Sequence, residues 1–158
     1  MMGAVSTSAE QQPAGPPLTL YLVKRLELVI RALLDDALRP LGLTTLQYTA
    51  LTVLEASGAL SSAQLARRSF LRPQTMHEMV LTLEKRGLIA RTPKPDNKRV
   101  LLAGLTDAGR DLLAGCAPAV AELEHALLAD MSPGQRATFR EGLQHGVTAL
   151  GARRAQEA

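Results

Sequence analysis

Between residues 61 and 106 the chain reads SSAQLARRSFLRPQTMHEMVLTLEKRGLIARTPKPDNKRVLLAGLT, and its punctuation fits few folds. Ser61 with Gln64 three positions on forms a capping box, and Leu60 and Leu65 sit where a hydrophobic staple fixes the entry of a helix. That helix is short, residues 62–68, and the turn Ser69-Phe70-Leu71 follows it. Pro73 then opens a second helix, at the position where a missing N–H costs nothing. Met76, Val80 and Leu83, with Met79 alongside, give it a narrow apolar stripe, so Pro73, Gln74, Thr75, His77 and Glu78 face outward. Gly87 ends it. Residues 88–92 and 100–104 are short strand candidates, and the turn-rich tip between them carries Lys94, Lys98 and Arg99. Helix, turn, helix and basic hairpin in this order make a helix-turn-helix with a wing, a device for laying a helix into a DNA groove.

Charge is distributed to match. Residues 61–99 hold nine of the 18 Lys and Arg but three of the 15 Asp and Glu, a local excess of six positive charges. The remainder holds nine basic against twelve acidic residues, so a net charge of +3 conceals a concentrated basic surface. Such a surface is what a phosphate-binding face requires. Taken alone, the second helix reads equally as a core helix with a solvated face. The wing and the charge asymmetry favour the DNA-reading alternative.

The flanks are helical. Residues 1–17 are rich in Ala, Gly, Ser, Pro and Gln and are expected to form a flexible arm. Leu22, Leu26, Val29 and Leu33, flanked by Val23, Ile30, Leu34 and Leu38, form an apolar stripe too wide for one neighbour. That helix is either central to the core or uses its second face for a subunit contact, and Pro40 stops it. Thr44 and Gln47 make another capping box, with Leu46, Ala50, Leu51 and Leu54 expected inward and Gly58 as the stop. Thr106 caps a long helix through Leu112, Leu113, Cys116, Val120, Leu123, Leu127 and Leu128, in which Pro118 predicts a kink or break. Ser132-Pro133-Gly134-Gln135 starts the last helix, carried by Phe139, Leu143, Val147 and Leu150, and residues 151–158 are expected to fray. The fold class is therefore mainly α with a small β-hairpin. One domain over residues 18–150 contains a winged module at 44–106, flanked by terminal helices at 18–40 and 106–150.

Several chemistries find no support. There is no Gly-rich phosphate loop, Gly-x-Ser-x-Gly or His-Glu-x-x-His, so no enzyme is expected. The single cysteine, Cys116, excludes an internal disulfide and fits a reducing compartment. No signal pattern and no membrane-length apolar run is present, so a cytoplasmic protein without a membrane partner is expected. Cys116 lies on an apolar register and reads as a core residue rather than an oxidant sensor. Glu122, His125 and His145 lack the spacing of a metal site, and neither metal nor other cofactor is expected.

The order of elements resembles the MarR family of bacterial regulators. The residues that carry the resemblance are Leu65-Ala66-Arg67-Arg68, then residues 73–83, then Glu84-Lys85-Arg86-Gly87-Leu88-Ile89, and Arg99 followed by Leu105-Thr106. It covers about residues 18–150. It implies a homodimer with interlocking terminal helices, reading a pseudo-palindromic operator in double-stranded DNA as a repressor. It also implies relief by a small-molecule inducer, commonly a phenolic or other lipophilic anion. Two departures stand out. Arg72 occupies a position where members often carry Ser or Thr, and the wing reads Asn97-Lys98-Arg99 with Asp96 one residue earlier than the usual Asp-x-Arg.

Arg72, Gln74, Thr75 and His77 are the candidates for base edges and flanking phosphates: Arg suits guanine, Gln adenine and the Thr methyl thymine. Glu78 either accepts from a cytosine amino group or orients Arg72 or an adjacent base-contacting side chain. Lys94, Asn97, Lys98 and Arg99 are the wing candidates, and Ser62, Gln64, Arg67 and Arg68 the backbone-contacting ones. The resemblance places an effector cleft where the first and fifth helices meet the module. Tyr21, Arg25, Tyr48 and Arg110 are its candidates by residue type, each equally readable as an ordinary surface or core group. A metal- or oxidant-sensing regulator on the same scaffold and a winged-helix protein-interaction module are the alternatives.

Overall fold

The computed structural model describes residues 18–156; the arm expected over residues 1–17 lies outside them. Six helices and a three-stranded sheet follow one another as α1 (Leu18–Leu38), a 3-10 turn (Arg39–Leu41), α2 (Thr45–Ser57), β1 (Leu60–Ser61), α3 (Ser62–Arg68), α4 (Pro73–Lys85), β2 (Ile89–Lys94), β3 (Asn97–Leu105), α5 (Asp107–Leu128) and α6 (Pro133–Gln156). The mainly helical fold with a small hairpin is the one expected.

Local chemistry explains most boundaries. The Thr44 hydroxyl accepts from Gln47 N–H at 3.2 Å while the Gln47 side chain accepts from Thr44 N–H at 3.1 Å. Ser61 and Gln64 repeat this at α3 with 3.2 and 3.0 Å, and Ser132 and Gln135 at α6 with 3.2 and 2.9 Å. Each box satisfies two backbone donors that a helix start leaves open. Three segments end in a common cap, in which one residue takes a left-handed conformation and two N–H groups fold back onto the last turn. Gly42 (φ 72°) closes the 3-10 turn through Gly42 N to Arg39 O and Leu43 N to Leu38 O. Gly87 (φ 73°) closes α4 through Gly87 N to Glu84 O and Leu88 N to Leu83 O. In α3 the same position holds Phe70, with φ 55°.

The core is aliphatic and lies between the module and its flanking helices. Leu38, Leu51, Leu54, Leu65, Met76, Val80, Leu83, Ile89 and Cys116 are its largest fully buried side chains. The stripe of α4 falls as expected, with Met76, Val80 and Leu83 fully buried. Leu46 does not: it sits in the first turn of α2, lining the same open concavity as Arg31 and Arg39, and is exposed. In α1, Leu38 is the one buried residue, so the helix is not central to the core. α6 buries none of its 24 residues.

The sheet order is β1-β3-β2, all antiparallel. The strands extend beyond the expected runs: β2 reaches Lys94 and β3 begins at Asn97, leaving Pro95 and Asp96 as a two-residue turn. Pro93 is tolerated inside β2 because β2 is an edge strand, where a missing donor breaks no ladder, and a register shift follows it. Leu60 and Ser61 add the third strand by pairing with Ala103 and Leu102. Of the kink or break expected at Pro118, the break does not occur: α5 runs through it as one helix. A proline inside a helix costs about 3 kcal/mol. The burial of Leu113 and Cys116 before it and Leu128 after it holds both halves in place. α6 likewise continues past Leu150 to Gln156, where fraying was expected; Ala, Arg and Gln all favour helix and Gly151 lies against Phe70.

The tightest junction joins the end of α4 to the start of α5. Thr106 Oγ1 donates to Gly87 O at 2.6 Å and accepts from Gly109 N at 3.1 Å, while Thr106 N donates to Leu88 O at 3.1 Å. A Cβ placed on Gly109 would lie 2.2 Å from Leu88 O. Replacing a helical glycine by alanine ordinarily gains about 1 kcal/mol, but the obstacle here is backbone that cannot swing aside. Gly109→Ala is expected to destabilise the protein by about 1–3 kcal/mol, the range for overpacking. A lowered urea midpoint checks this; an unchanged or raised midpoint would remove the junction from the account.

Candidate nucleic-acid interface

The exposed side of α4 carries the residues expected there: Gln74, Thr75, His77 and Glu78 are all exposed, as is Pro73. Arg72 stands at the N-cap with an extended backbone (φ −68°, ψ 145°) and makes no side-chain cap. The first turn of α4 therefore has no side-chain acceptor at its cap, and the guanidinium is left to project, an arrangement suited to phosphate oxygens. Glu78 has no ion pair among the described residues, so no contact supports its role in orienting Arg72.

The basic residues divide into two groups. Four are engaged within the chain. Arg91 forms a two-pronged pair with Glu84, at 2.7 Å from Nε and 3.0 Å from Nη2. Arg86 Nη1 donates to Gly42 O at 2.7 Å, and Arg68 Nη1 to the Ser57 hydroxyl at 2.7 Å. Lys94 pairs with Asp96 at 3.4 Å. Arg67, Arg72, Lys85, Lys98 and Arg99 have no side-chain partner among the described residues. The positive charge available to a ligand is thus smaller than residue counting suggests, and it sits at the α3–α4 turn, the end of α4 and the wing.

Two candidates of the expected set serve the fold. Gln64 spends its side-chain oxygen on the Ser61 capping box, and Asn97 Oδ1 accepts from Arg99 N at 3.2 Å, shaping the hairpin. Ser62 is half-buried. The Glu84–Arg91 pair escaped sequence reasoning because its partners are seven residues apart across a helix–strand junction, where neither helical nor strand periodicity applies. This pair ties the base of the wing to α4 and holds the Glu84 carboxyl below the usual carboxylate range, chiefly through the hydrogen bonds from Arg91.

Arg25 lies over the Tyr21 ring at 5.5 Å from its centroid on α1. Tyr48 packs against the core, and Arg110 pairs with Asp107 at 3.2 Å. Open concavities among the described residues include the following two. One, of about 520 Å³, lies between α1 and the start of α2 beside Arg31, Asp35 and Arg39. The other, of about 530 Å³, lies where α6 begins, beside Met131 and Phe139. Neither is lined by Tyr21, Arg25, Tyr48 or Arg110.

No cluster of three or more His, Cys, Asp or Glu among the described residues could hold a metal ion. Cys116 is fully buried, and burial pushes its thiol pKa up, away from the reactive thiolate. No single described helix is long and apolar enough to cross a membrane.

A capped short helix, a proline-led helix with an exposed polar face and a basic hairpin packed behind it define a winged helix-turn-helix regulator. Comparison with known proteins gives the family. Residues 43–101 match the MarR family model. The helix-turn-helix transcriptional repressor Rv2887 of Mycobacterium tuberculosis is 35% identical over 136 residues, covering 86% of this chain and 94% of that one. The structure of Rv2887, a MarR family protein, in complex with salicylic acid superposes with a TM-score of 0.67, covering 83% and 96% of the two chains at 35% identity. Its complex with DNA gives the same TM-score of 0.67 at 34% identity, over 83% and 98%. A probable transcriptional regulator from Pseudomonas aeruginosa reaches 0.71 at 31% identity, over 81% and 96%. The chain belongs to the MarR family. It is a transcriptional regulator and not an enzyme.

Two expectations follow. Because the folded Glu84 pKa is depressed, its pair stabilises the module above the ordinary carboxylate pKa of about 4.3 and is lost as pH falls through the lower folded value. Glu84→Gln should flatten the acid limb of a stability–pH profile below pH ~4.5; an unaltered limb removes the pair from that role. Cys116 should resist a thiol reagent in the native protein and react on denaturation, and rapid native labelling would restore the oxidant-sensor alternative.

Proposed function

We propose that this chain is a DNA-binding repressor that acts as a homodimer on a pseudo-palindromic operator and is released by a small lipophilic or phenolic anion. The observation that carries the reading is the unpaired state of Arg72, Lys98 and Arg99 beside an exposed polar face of α4. Cations without internal partners bind phosphate without first breaking a bond. Arg72, Gln74, Thr75, His77 and Glu78 are assigned to base edges and nearby phosphates. Lys98 and Arg99 are assigned to the minor groove and backbone, with Lys94 and Arg67 contributing phosphate contacts and Ser62 and Arg68 flanking them. The 35% identical relative whose structures contain DNA and salicylic acid supports both halves of the reading.

The dimer rests on apolar surface. Leu22, Val29 and Leu33 on α1 are 46–55% exposed, and Val147 and Leu150 on α6 are 53% and 60% exposed. Contiguous apolar faces of this kind mark association surfaces, and both lie on the terminal helices. A second copy covers them most simply, bringing two α4 helices to one side of the DNA. Such a regulator works where its DNA is, in the bacterial cytoplasm, by blocking or repositioning polymerase.

The test is fluorescence anisotropy with a labelled duplex from the promoter region of its own gene, at two salt concentrations. Arg99→Ala should weaken binding at least ~10-fold and lower the slope of log affinity against log salt by about 1. Unchanged affinity at both salt concentrations sinks the wing assignment. Failure of the unaltered protein to bind at low salt would favour the protein-interaction alternative. Salicylate titrated into the complex should lower the anisotropy, and no change up to millimolar salicylate leaves that ligand outside the inducer class.

A further inference from the structure

Of the three left-handed caps, the one in the helix-turn-helix itself uses phenylalanine where the other two use glycine. Its hydrogen bonds are regular: Phe70 N donates to Arg67 O at 3.3 Å and Leu71 N to Ala66 O at 3.0 Å. A β-carbon is disfavoured at φ 55°, so the side chain must contribute something that glycine would not. Local packing does not provide it, because Phe70 remains 48% exposed. The contact comes instead from the far end of the chain. The ring lies against Gly151 of α6, close enough that a Cβ there would sit 3.5 Å from Cε1, and Arg154 Nη1 donates to Phe70 O at 3.1 Å. Leu71 and Arg72 follow directly, and Arg72 is the N-cap of α4.

We propose that Arg154 is a positioning residue for DNA reading: the last turns of α6 grip the α3–α4 turn through Phe70 and set the angle of α4 to the terminal-helix layer. Gly151 is in ordinary contact range of the ring, and Arg154 holds the carbonyl of a residue already fixed in a left-handed turn. In a dimer built on that layer the grip fixes the distance between the two α4 helices, and so the half-site spacing the dimer accepts. The inference rests on the DNA-binding reading above.

Its test uses the full chain and the promoter duplex, together with duplexes in which successive base pairs are inserted between the half-sites. Arg154→Ala and Phe70→Gly should each weaken binding at the natural spacing roughly tenfold, equivalent to about 1.4 kcal/mol, and flatten the preference for that spacing. Arg154→Lys, which keeps a donor, should retain both properties. Phe70→Gly should melt no lower than the parent, because glycine adopts the positive φ freely, so a spacing change in that variant reports positioning rather than lost stability. If the parent binds and both variants bind within about twofold of it with the same spacing preference, this inference alone falls. If affinity drops equally at every spacing and lysine does not restore it, the inference also falls. A parent chain that binds none of the duplexes overturns the DNA-binding reading and this inference with it.

Discussion

The geometry of the reading head depends on one hydroxyl. Thr106 donates to Gly87 O and accepts from Gly109 N, so the last residue of the α4 cap and the first turn of α5 share a single oxygen. The wing leaves and re-enters the fold at this junction, since Ile89 pairs with Leu105 on either side of it. Gly109 lets α5 approach the Leu88 carbonyl closely enough for the hydroxyl to bridge them. Helix, hairpin and long helix therefore meet at a point with little freedom. The Glu84–Arg91 pair, one turn back along α4, adds a second tether between helix and wing.

Electrostatics and packing divide the basic residues between them. Arg68, Arg86 and Arg91 bind oxygen atoms of neighbouring elements and hold the module together. Those left at the turn and the wing tip carry the surface field. Arginine suits both tasks, because its planar donors match a carboxylate or carbonyl as well as a phosphate. A sequence count cannot separate the two uses, and the local excess of six positive charges overstates what faces solvent unpaired.

What was legible in the sequence was local. The three capping boxes, the Gly87 stop, the buried face of α4 and its exposed reading face all follow from residues three or four positions apart, the reach of one helical turn. What was not legible depends on distant partners. The β1 pairing with Ala103, the extension of the strands to a two-residue turn and the continuation of α5 through Pro118 are decided by neighbours remote in sequence. Exposure of Leu46 has the same origin: residue type and period say what a side chain suits, and the packing of other helices decides what it meets. On the reading face, the chemistry of α4 was visible and the internal commitments of Gln64, Asn97 and Arg68 were not.

The absence of any buried residue in α6 has a consequence for how the chain holds its structure over time. The aliphatic core lies in the module and the adjoining parts of α1 and α5, so a solitary chain has two tiers of stability. Amides at the buried core of the module are expected to exchange with solvent only on large-scale opening, whereas those of α6 exchange whenever that helix departs from its few contacts. Whatever covers the terminal helices raises the lower tier by mass action. The concentration of the covering partner, rather than the sequence alone, then sets how much of the chain behaves as one cooperative unit.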